Sequence, residues 1–170
     1  IFTILEKKGD PRRLKIVFVG DGGDNVAHSL LLGLGVLGAK LVISSPKGYD
    51  PAKTVLEKFN EIASITGADL EIERDPFEAV KGADVVYTDV WVSMGQEAER
   101  EKRVRDLRSY QVNNKLMKMA KPDAIFMHCL PAHRGEEVTD DVIDGPWSVV
   151  WDQAENRLHV QKAILALLIR

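Results

Sequence analysis

Cys129 is the single cysteine of the chain and stands between His128 and a Leu-Pro pair, at the end of an apolar run. A thiolate at this position could act as a nucleophile, because nearby cations such as His133 and Arg134 lower the pKa of a thiol. A free cysteine is equally common as a small buried packing residue, and its thiol could also contact an amine. A zinc site is not expected, since no second cysteine is present. The sequence leaves the first three interpretations open.

Asp89 begins a second segment whose side chains could bind a ligand, D-V-W-V-S-M-G over residues 89–95. A carboxylate at the end of a strand can bind an ammonium group, whereas the hydroxyl of Ser93 and the amide near Gly95 can bind a carboxylate. Ser93 could equally cap a helix that begins near Gln96. The segment suits an amino-acid ligand, with helix capping as the alternative. We expect Asp89 to lie at the surface edge rather than in the core.

Arg157 lies in the run E-N-R of residues 155–157, within a helical pattern. Its guanidinium could bind a phosphate or a carboxylate through two parallel hydrogen bonds, or it could be an ordinary solvated charge on a helix. The densely charged run over residues 97–103 is predicted to be a solvated helix face.

Two glycine-rich segments could suggest a nucleotide cofactor. The G-x-G-x-x-G pattern of residues 33–38 falls at the end of a predicted helix, so no helix N-terminus faces it, and Gly38 is better interpreted as a C-cap. The loop in the right place, G-D-G-G-D-N over residues 20–25, ends in Asn25 rather than in a small residue. We therefore predict no cofactor and no metal.

Short β-branched runs predict the strands that would position these residues. Four runs, at residues 15–19, 40–44, 84–88 and 124–128, are almost continuously apolar, as in parallel strands buried on both faces. Residues 70–73 alternate and predict an edge strand, and residues 148–151 are the candidate for a sixth strand.

Helical patterns separate the strands. They cover residues 25–37, 51–65, 76–80, 96–108, 113–120, 139–143 and 152–169, with Pro51 at a first helical position and Asp75 as an N-cap. This alternation predicts a Rossmann-like α/β fold with a doubly wound, mainly parallel sheet of five to six strands, in a single three-layer domain over residues 1–170. Ligands collect at the carboxyl ends of such strands, where Asn25, Asp89 and Cys129 should cluster.

The composition excludes several classes of protein. The chain has 170 residues, of which 45% are hydrophobic and 29% charged, as in an ordinary globular domain. Its 23 basic and 26 acidic residues give a net charge of −3, which argues against a nucleic-acid partner. Neither a membrane span nor a secretory signal is present, and we predict a soluble, cytoplasmic protein. The chain begins with Ile1 rather than Met, so we expect a piece of a longer protein.

Several segments together resemble one family. The runs D-V-W-V-S-M-G-Q-E at 89–97, H-C-L-P at 128–131 and D-Q-A-E-N-R at 152–157 resemble ornithine carbamoyltransferases in order and spacing. Residues 45–51 and 110–113 look like the same family. The resemblance covers essentially the whole chain but only the ornithine-binding half of the enzyme. In the related aspartate enzymes the S-M-G and H-C-L-P pair is not expected, which favours the ornithine branch.

The resemblance implies an activity and a set of site residues. The family transfers a carbamoyl group from carbamoyl phosphate to the δ-amine of ornithine, giving citrulline and phosphate in arginine biosynthesis. The implied catalytic residues are Cys129, beside the reacting centre, and Asp89, close enough to influence the protonation of the amine. The implied ornithine contacts are Asn25, Asp89, Ser93 and Met94. The implied carbamoyl-phosphate contacts are Cys129, Leu130 and Arg157.

The resemblance also implies partners that residues 1–170 do not include. The family builds its site between two domains and at a subunit boundary of a trimer. The S-x-R-T and H-P-x-Q segments of the carbamoyl-phosphate domain are absent from this sequence, so we expect the isolated chain to be inactive. One departure concerns Asp24, which stands where the family usually has the first of two asparagines.

Two other functions remain as alternatives. The first is a non-catalytic α/β module that binds an amino acid. The second is a carbamoyltransferase for a modified ornithine or for putrescine. The S-M-G segment favours free ornithine, because it offers contacts for an unmodified amino-acid end.

Overall fold

A five-stranded parallel sheet forms the centre of the computed structural model, which describes residues 1–93 and 95–169. The strands are β1 (Ile16–Val19), β2 (Lys40–Ser44), β3 (Asp69–Glu73), β4 (Val85–Thr88) and β5 (Ile125–His128). Their order across the sheet is β3-β2-β1-β4-β5, and every neighbouring pair is parallel. The five main strand predictions are confirmed, and β3 lies at the edge as its alternation predicted.

The strands are apolar throughout because both faces of the sheet are covered. In β1, Ile16 and Phe18 belong to one buried cluster, whereas Val17 and Val19 belong to the other. All four residues are at most 1% exposed. The continuous apolar runs therefore reflect two separate cores, one on each face of the sheet.

Eight α-helices surround the sheet within the described residues, and they confirm the predicted three-layer α/β architecture. They are α1 (Phe2–Lys8), α2 (Asn25–Val36), α3 (Lys53–Thr66), α4 (Pro76–Val80), α5 (Arg100–Leu107), α6 (Asn114–Met117), α7 (Asp140–Ile143) and α8 (Val150–Leu168). Residues of α1, α2 and α3 enter one core, and residues of α4, α6 and α7 enter the other. The start of α4 is set by Asp75, which accepts a hydrogen bond from the Phe77 amide, as predicted.

The prediction of a sixth strand at residues 148–151 is wrong. Ser148 forms a single parallel bridge to Phe126, and the Val149 amide donates to the Phe126 carbonyl. The chain then turns into α8 at Val150, and the Gln153 amide already donates to the Val149 carbonyl at 2.9 Å. The helical hydrogen bonds that follow override the β-branched character of the run.

The prediction that Pro51 begins a helix is also wrong by two residues. Helix α3 begins at Lys53, with Ala52 as its N-cap. The Ala52 amide donates to the Nε2 atom of His28 at 3.1 Å, so a side chain from α2 satisfies the backbone group next to the helix start. This contact between distant segments has no local signal.

Other boundaries differ in smaller ways. The predicted helix over 96–108 consists of α5 with a 3₁₀ turn on each side, at Glu97–Glu99 and Arg108–Tyr110. Helix α2 ends in a turn in which Gly38 has a φ of 71°, a left-handed value that suits glycine, in agreement with its predicted role at the helix C-terminus.

The sheet has one topological switch point. From β1 the chain winds outward to β2 and β3, whereas β4 and β5 lie on the other side of β1. The loops that leave β1 and β4 therefore diverge and open a crevice at the carboxyl ends of these neighbouring strands. Among the residues described, no helix has the length and apolar character needed to cross a bilayer.

Candidate functional site

Three loops meet at the switch point, and close backbone packing holds them there. They follow β1, β4 and β5 and contain residues 20–24, 89–93 and 129–130, respectively. Gly20 has a φ of 134°, and a Cβ atom at this position would lie 3.5 Å from Oγ1 of Thr88. A Cβ on Gly22 would lie 2.7 Å from the carbonyl oxygen of Tyr49, closer than any real contact. Glycine in the first loop thus lets the chains approach closely.

Asp89 and Cys129 are in direct contact. The Sγ atom of Cys129 donates to Oδ1 of Asp89 at 2.9 Å, and the Val90 amide donates to the same oxygen at 2.8 Å. Asp89 is only 6% exposed, so the expectation of a surface-edge carboxylate is wrong. The prediction that Asp89 and Cys129 meet at the carboxyl edge of the sheet is confirmed.

The Cys129 thiol is held in its neutral form. Burial, followed by the hydrogen bond and charge of Asp89, raises the pKa of Cys129 well above its usual range. Arg134, one of the two cations expected to lower it, is engaged elsewhere, because it forms ion pairs with Asp140 and Asp144. The nucleophilic-thiolate interpretation is therefore disfavoured, and Cys129 serves as a hydrogen-bond donor to the carboxylate.

Asp24 is a second buried acid in this crevice, and it is 5% exposed. Its Oδ2 atom caps helix α2 by accepting from the amides of Val26 and Ala27 at 2.7 and 3.2 Å. Its Oδ1 atom faces the hydroxyl of Ser93, which donates to it at 3.3 Å. Burial, and then the charge of Asp89, raise the pKa of Asp24 to about 6.

Ser93 does not cap the helical segment that follows it. The 3₁₀ turn that begins at Glu97 has Gln96 as its N-cap, without a side-chain hydrogen bond. The Ser93 hydroxyl is directed to Asp24 instead, so the capping alternative for Ser93 is wrong. Its backbone amide is engaged by the side-chain oxygen of Gln96 at 3.1 Å.

A third acid of the crevice, Asp21, has its own cation. Its Oδ2 atom forms an ion pair with Nη1 of Arg103 at 2.6 Å, and the side chains are 8% and 12% exposed. The guanidinium also lies over the ring of Tyr49. Arg103 is therefore an exception to the predicted solvated face over 97–103. Nε2 of His128 lies 4.0 Å from Oδ1 of Asp89 but closer, at 3.2 Å, to Oε1 of Glu137. Among the described residues, no lysine or arginine pairs with Asp24 or Asp89, so these two carboxylates share the crevice without a lysine or arginine partner.

Behind Cys129, a buried histidine shapes the last loop. The Leu130 amide donates to Nδ1 of His128 at 2.9 Å, so the proton of this imidazole is on Nε2, which lies 3.2 Å from Oε1 of Glu137. His128 and Glu137 are fully buried. Leu130 has a φ of 58°, outside the range preferred by side-chain-bearing residues, and it turns the backbone of the loop. Its half-buried position agrees with a backbone role.

Arg157 lies on the exposed side of α8 and lines a cavity of about 430 Å³ between α1, α2 and α8. Tyr87 also lines this cavity, and its hydroxyl accepts a hydrogen bond from Nε2 of Gln153 at 2.8 Å. Burial raises the pKa of Tyr87, and the nearby Cys129 adds to the effect. The cavity that contains Arg157 thus adjoins the acidic crevice through Tyr87.

The two other predicted site residues differ in how far the structure describes them. Asn25 is the first residue of α2, exposed and directly after Asp24, so it lies at the carboxyl edge as predicted. Met94 lies outside the described residues.

The donor atoms of Asp89, His128 and Cys129 lie within 4.8 Å of one another, which raises the question of a metal. The sulfur and nitrogen ligand atoms already carry protons that form hydrogen bonds: the Cys129 thiol donates to Asp89, and the Nε2 proton of His128 faces Glu137. A metal would have to displace both protons, and we do not assign one. The absence of a metal and of a cofactor stays a prediction.

Some residues of the site had no clear signal in the sequence. Glu137, which orients His128, belongs to no motif that identifies it. Gln153 lies in the D-Q-A-E-N-R run, but nothing in that run predicts its contact with Tyr87. Asp24 did carry a signal, because an acid directly before Asn25 in a glycine loop is a good N-cap. Its contact with Ser93 joins residues 69 positions apart and needs the fold.

Comparisons with known proteins agree on one family. Residues 12–168 match the model described as aspartate/ornithine carbamoyltransferase, Asp/Orn binding domain. The chain is 69% identical to an ornithine carbamoyltransferase of Staphylothermus marinus, over 99% of this chain and 54% of that protein. It is 60% identical to an anabolic ornithine carbamoyltransferase of Pyrococcus furiosus, over 98% of this chain and 53% of that protein.

Solved structures of carbamoyltransferases also match nearly the whole of this chain and about half of their own length. An ornithine carbamoyltransferase structure from Pyrococcus furiosus matches 98% of this chain and 53% of its own, with a TM-score of 0.91 and 60% identity. An N-acetyl-L-ornithine transcarbamylase structure matches with a TM-score of 0.81 and 30% identity, over 95% of this chain and 51% of its own. The chain spans about half the length of the curated relatives it matches.

Proposed function

Since the chain belongs to the aspartate/ornithine carbamoyltransferase family and matches its Asp/Orn-binding domain, we propose that it binds ornithine as part of an ornithine carbamoyltransferase. The observation that carries the proposal is the pair of buried carboxylates, Asp24 and Asp89, which share the crevice without a lysine or arginine partner among the described residues. A ligand with an ammonium group would supply the missing charge. Aspartate, with two carboxylates and one ammonium group, fits this crevice less well than ornithine, with two ammonium groups.

Each proposed site residue has a role consistent with its surroundings. Asp89 accepts hydrogen bonds from an ammonium group of ornithine and influences the protonation of the reacting amine. Cys129 holds Asp89 in place and lies beside the reacting centre. Asn25, Ser93 and Met94 complete the contacts with the amino-acid end of ornithine.

Carbamoyl phosphate would bind on the Arg157 side of the crevice. The guanidinium of Arg157 lines the adjoining cavity, where it can receive a phosphate through paired hydrogen bonds. Leu130 contributes its backbone carbonyl, and Cys129 lies between this group and Asp89. In the reaction, the uncharged δ-amine of ornithine attacks the carbamoyl carbon, forming a C–N bond while the C–O bond to phosphate breaks. The amine loses a proton, and the products are citrulline and phosphate.

We propose that residues 1–170 form one domain and that the remaining length of the relatives corresponds to the carbamoyl-phosphate domain. Large apolar side chains are exposed on α1 and α8, among them Phe2, Leu5, Leu165 and Leu168. Single exposed apolar side chains are common on protein surfaces, whereas several on neighbouring helices are typical of an interface. These side chains therefore support packing against a further domain. The intact enzyme is proposed to be a cytoplasmic trimer.

Without that domain, the chain is proposed to bind ornithine weakly and to be inactive. One wall of the site is missing, so water has free access to the reacting centre. Pure chain incubated with carbamoyl phosphate and ornithine should form no citrulline above background. Citrulline formation by the 170-residue chain would contradict the proposal that catalysis needs both domains.

Ligand preference tests the proposed substrate against the alternatives. We expect calorimetric or NMR titration of the chain to give saturable binding of ornithine and of norvaline, which share an amino-acid end. Putrescine, N-acetylornithine and aspartate should bind more weakly. Tighter binding of N-acetylornithine would instead favour the second candidate, which is supported by the structural similarity to the N-acetyl-L-ornithine enzyme.

A further inference from the structure

Asp24 does more than cap helix α2, because it also orients the hydroxyl of Ser93. An ionised carboxylate accepts hydrogen bonds and donates none. Oδ2 of Asp24 is used by the amides of Val26 and Ala27, and Oδ1 faces the Ser93 hydroxyl at 3.3 Å. The hydrogen in this last contact can come only from Ser93. Ser93 therefore points its proton at Asp24 and presents its lone pairs to the crevice.

We propose that Asp24 is a positioning residue that fixes the Ser93 hydroxyl as a hydrogen-bond acceptor, so that Ser93 and Asp89 together receive the α-ammonium group of an amino acid. This inference rests on the proposed function and adds a specificity element to its site. The α-carboxylate of the ligand then has to be bound by other donors, because Ser93 has no proton left for it.

The surroundings of Asp24 make this arrangement dependent on its ionisation. The titratable groups that face it are Asp89, Asp21, Cys129 and Tyr87. Asp21 is neutralised by Arg103, and Cys129 and Tyr87 are held in their neutral forms. Burial, then the charge of Asp89 and to a smaller extent that of Asp21, raise the pKa of Asp24 to about 6.

Ligand binding should therefore depend on pH in a defined direction. An ammonium group beside Asp24 favours its ionised form and lowers its pKa. Below pH 6, binding must first remove a proton from Asp24, so the affinity for the ligand should fall as the pH falls. A single such group weakens binding by up to about tenfold per pH unit.

Asp24→Asn tests the inference while preserving the helix cap, because Asn and Asp cap helices equally well. The amide NH2 of Asn would face Ser93 as a donor, so the serine hydroxyl would be free to donate to the crevice instead of accepting. We expect the affinity for ornithine and norvaline at pH 8 to fall by about three- to tenfold, because the ammonium group would lose the Ser93 acceptor but keep Asp89. Affinity for 5-aminopentanoate, which lacks the α-amine, should not fall.

Asp75→Asn is the matched control. Asp75 caps α4 through a 2.8 Å hydrogen bond from the Phe77 amide, outside the crevice. This variant should bind all three ligands as the wild type does and should keep the wild-type pH dependence. The Asp24→Asn variant should lose most of the decline in affinity between pH 7 and pH 5.

A double-mutant cycle with Ser93→Ala separates positioning from a simple loss of charge. If Asp24 acts through Ser93, Asp24→Asn should cost clearly less ornithine affinity in the Ser93→Ala background than in the wild type. Equal costs in the two backgrounds, or an unchanged pH dependence in Asp24→Asn, would overturn the inference while leaving ornithine binding intact. Failure of the wild type to bind ornithine would instead contradict the proposed function, and the inference with it.

Discussion

Strand β4 carries an aspartate at each end, and the two have opposite surroundings. Asp84, before the strand, is 5% exposed and accepts from the Lys15 amide at 2.9 Å and from Nζ of Lys121 at 2.7 Å. Asp89, after the strand, is 6% exposed, and among the described residues it accepts hydrogen bonds only from the Cys129 thiol and the Val90 amide. Nε2 of His128 lies farther away, at 4.0 Å. One buried acid is neutralised by the protein, and the other is left for a ligand.

This difference distinguishes a structural carboxylate from a functional one better than burial does. A buried charge without a partner is costly, so the fold retains one only where something else is gained. Asp89 also has a second acid beside it, and the pKa of Asp24 is raised first by burial and then by repulsion from Asp89. A cationic ligand would relieve this repulsion, whereas Asp84 is already paired with Lys121.

The largest expected effect is on folding, at the Asp84 end. Asp84→Ala removes the acceptor for the partly buried Lys15 amide and leaves Lys121 without its partner. We expect a loss of about 2–3 kcal/mol in the free energy of unfolding, measured by urea denaturation. Lys121 is half exposed, so most of the loss should come from the unpaired amide. Ligand binding by the folded variant should be unchanged. A smaller loss in the free energy of unfolding than that caused by Asp89→Asn would contradict the structural role of Asp84.

At the other end of β4, Asp89→Asn should affect binding rather than folding. The variant keeps the shape of the side chain and removes its charge. A charge-assisted hydrogen bond contributes about 1.5–3 kcal/mol, so ornithine affinity should fall by roughly ten- to a hundredfold. Calorimetric titration of wild type and variant measures the change. Equal affinities would remove Asp89 from the ornithine site.

The stability of Asp24→Asn should depend on pH. The pKa of Asp24 is raised in the folded state, so its ionisation costs stability as the pH rises from about 4 through about 6. Asparagine keeps the cap and avoids that cost. We expect the variant to be more stable than the wild type at pH 8 by about 1–2 kcal/mol, since solvent in the crevice screens part of the repulsion.

At pH 4 the same comparison should give nearly equal stabilities, because Asp24 is then protonated in the folded protein. Urea denaturation at both pH values tests this sign. A variant that is less stable than the wild type at pH 8 would mean that the Asp24 charge stabilises the fold, contrary to the proposed repulsion.

The smallest expected effect concerns the reactivity of Cys129. The wild-type thiol should react slowly with iodoacetamide at pH 8, because its pKa is raised by burial and by Asp89. Asp89→Asn removes the negative charge, lowers the pKa of the thiol and should speed alkylation by about three- to tenfold. Mass spectrometry follows the modification over time. Asp84→Asn is the control, and it should leave the rate as in the wild type.

Much of the fold could be predicted from the sequence because its signals are local. Continuous apolar runs identified four strands, an alternating run identified β3, and the Asp75–Pro76 pair identified the start of α4. The failures have tertiary causes: His28 engages the amide before α3, and the β-branched run at 148–151 is drawn into α8. Local preferences do not report such contacts.

The candidate site could be predicted as a set of residues but not as an arrangement. Asp89, Ser93 and Cys129 were identified by type and motif, yet the hydrogen bond between Asp89 and Cys129 joins residues 40 positions apart. The burial of Asp89 and the contact of Asp24 with Ser93 likewise depend on how β1, β4 and β5 are arranged. The raised pKa of Cys129 follows first from burial and then from Asp89, and for this reason the thiolate interpretation is disfavoured.

One measurement tests the central claim most directly: NMR titration of the isotope-labelled 170-residue chain with ornithine at pH 8. The account predicts saturable shifts of residues at the carboxyl ends of β1, β4 and β5, including Asp24, Asp89 and Cys129. It predicts no shifts around Asp84 and Lys121 at the opposite end of β4. The absence of saturable shifts, or shifts confined to the Asp84 end, would contradict the assignment of the unpaired carboxylates to an ornithine site.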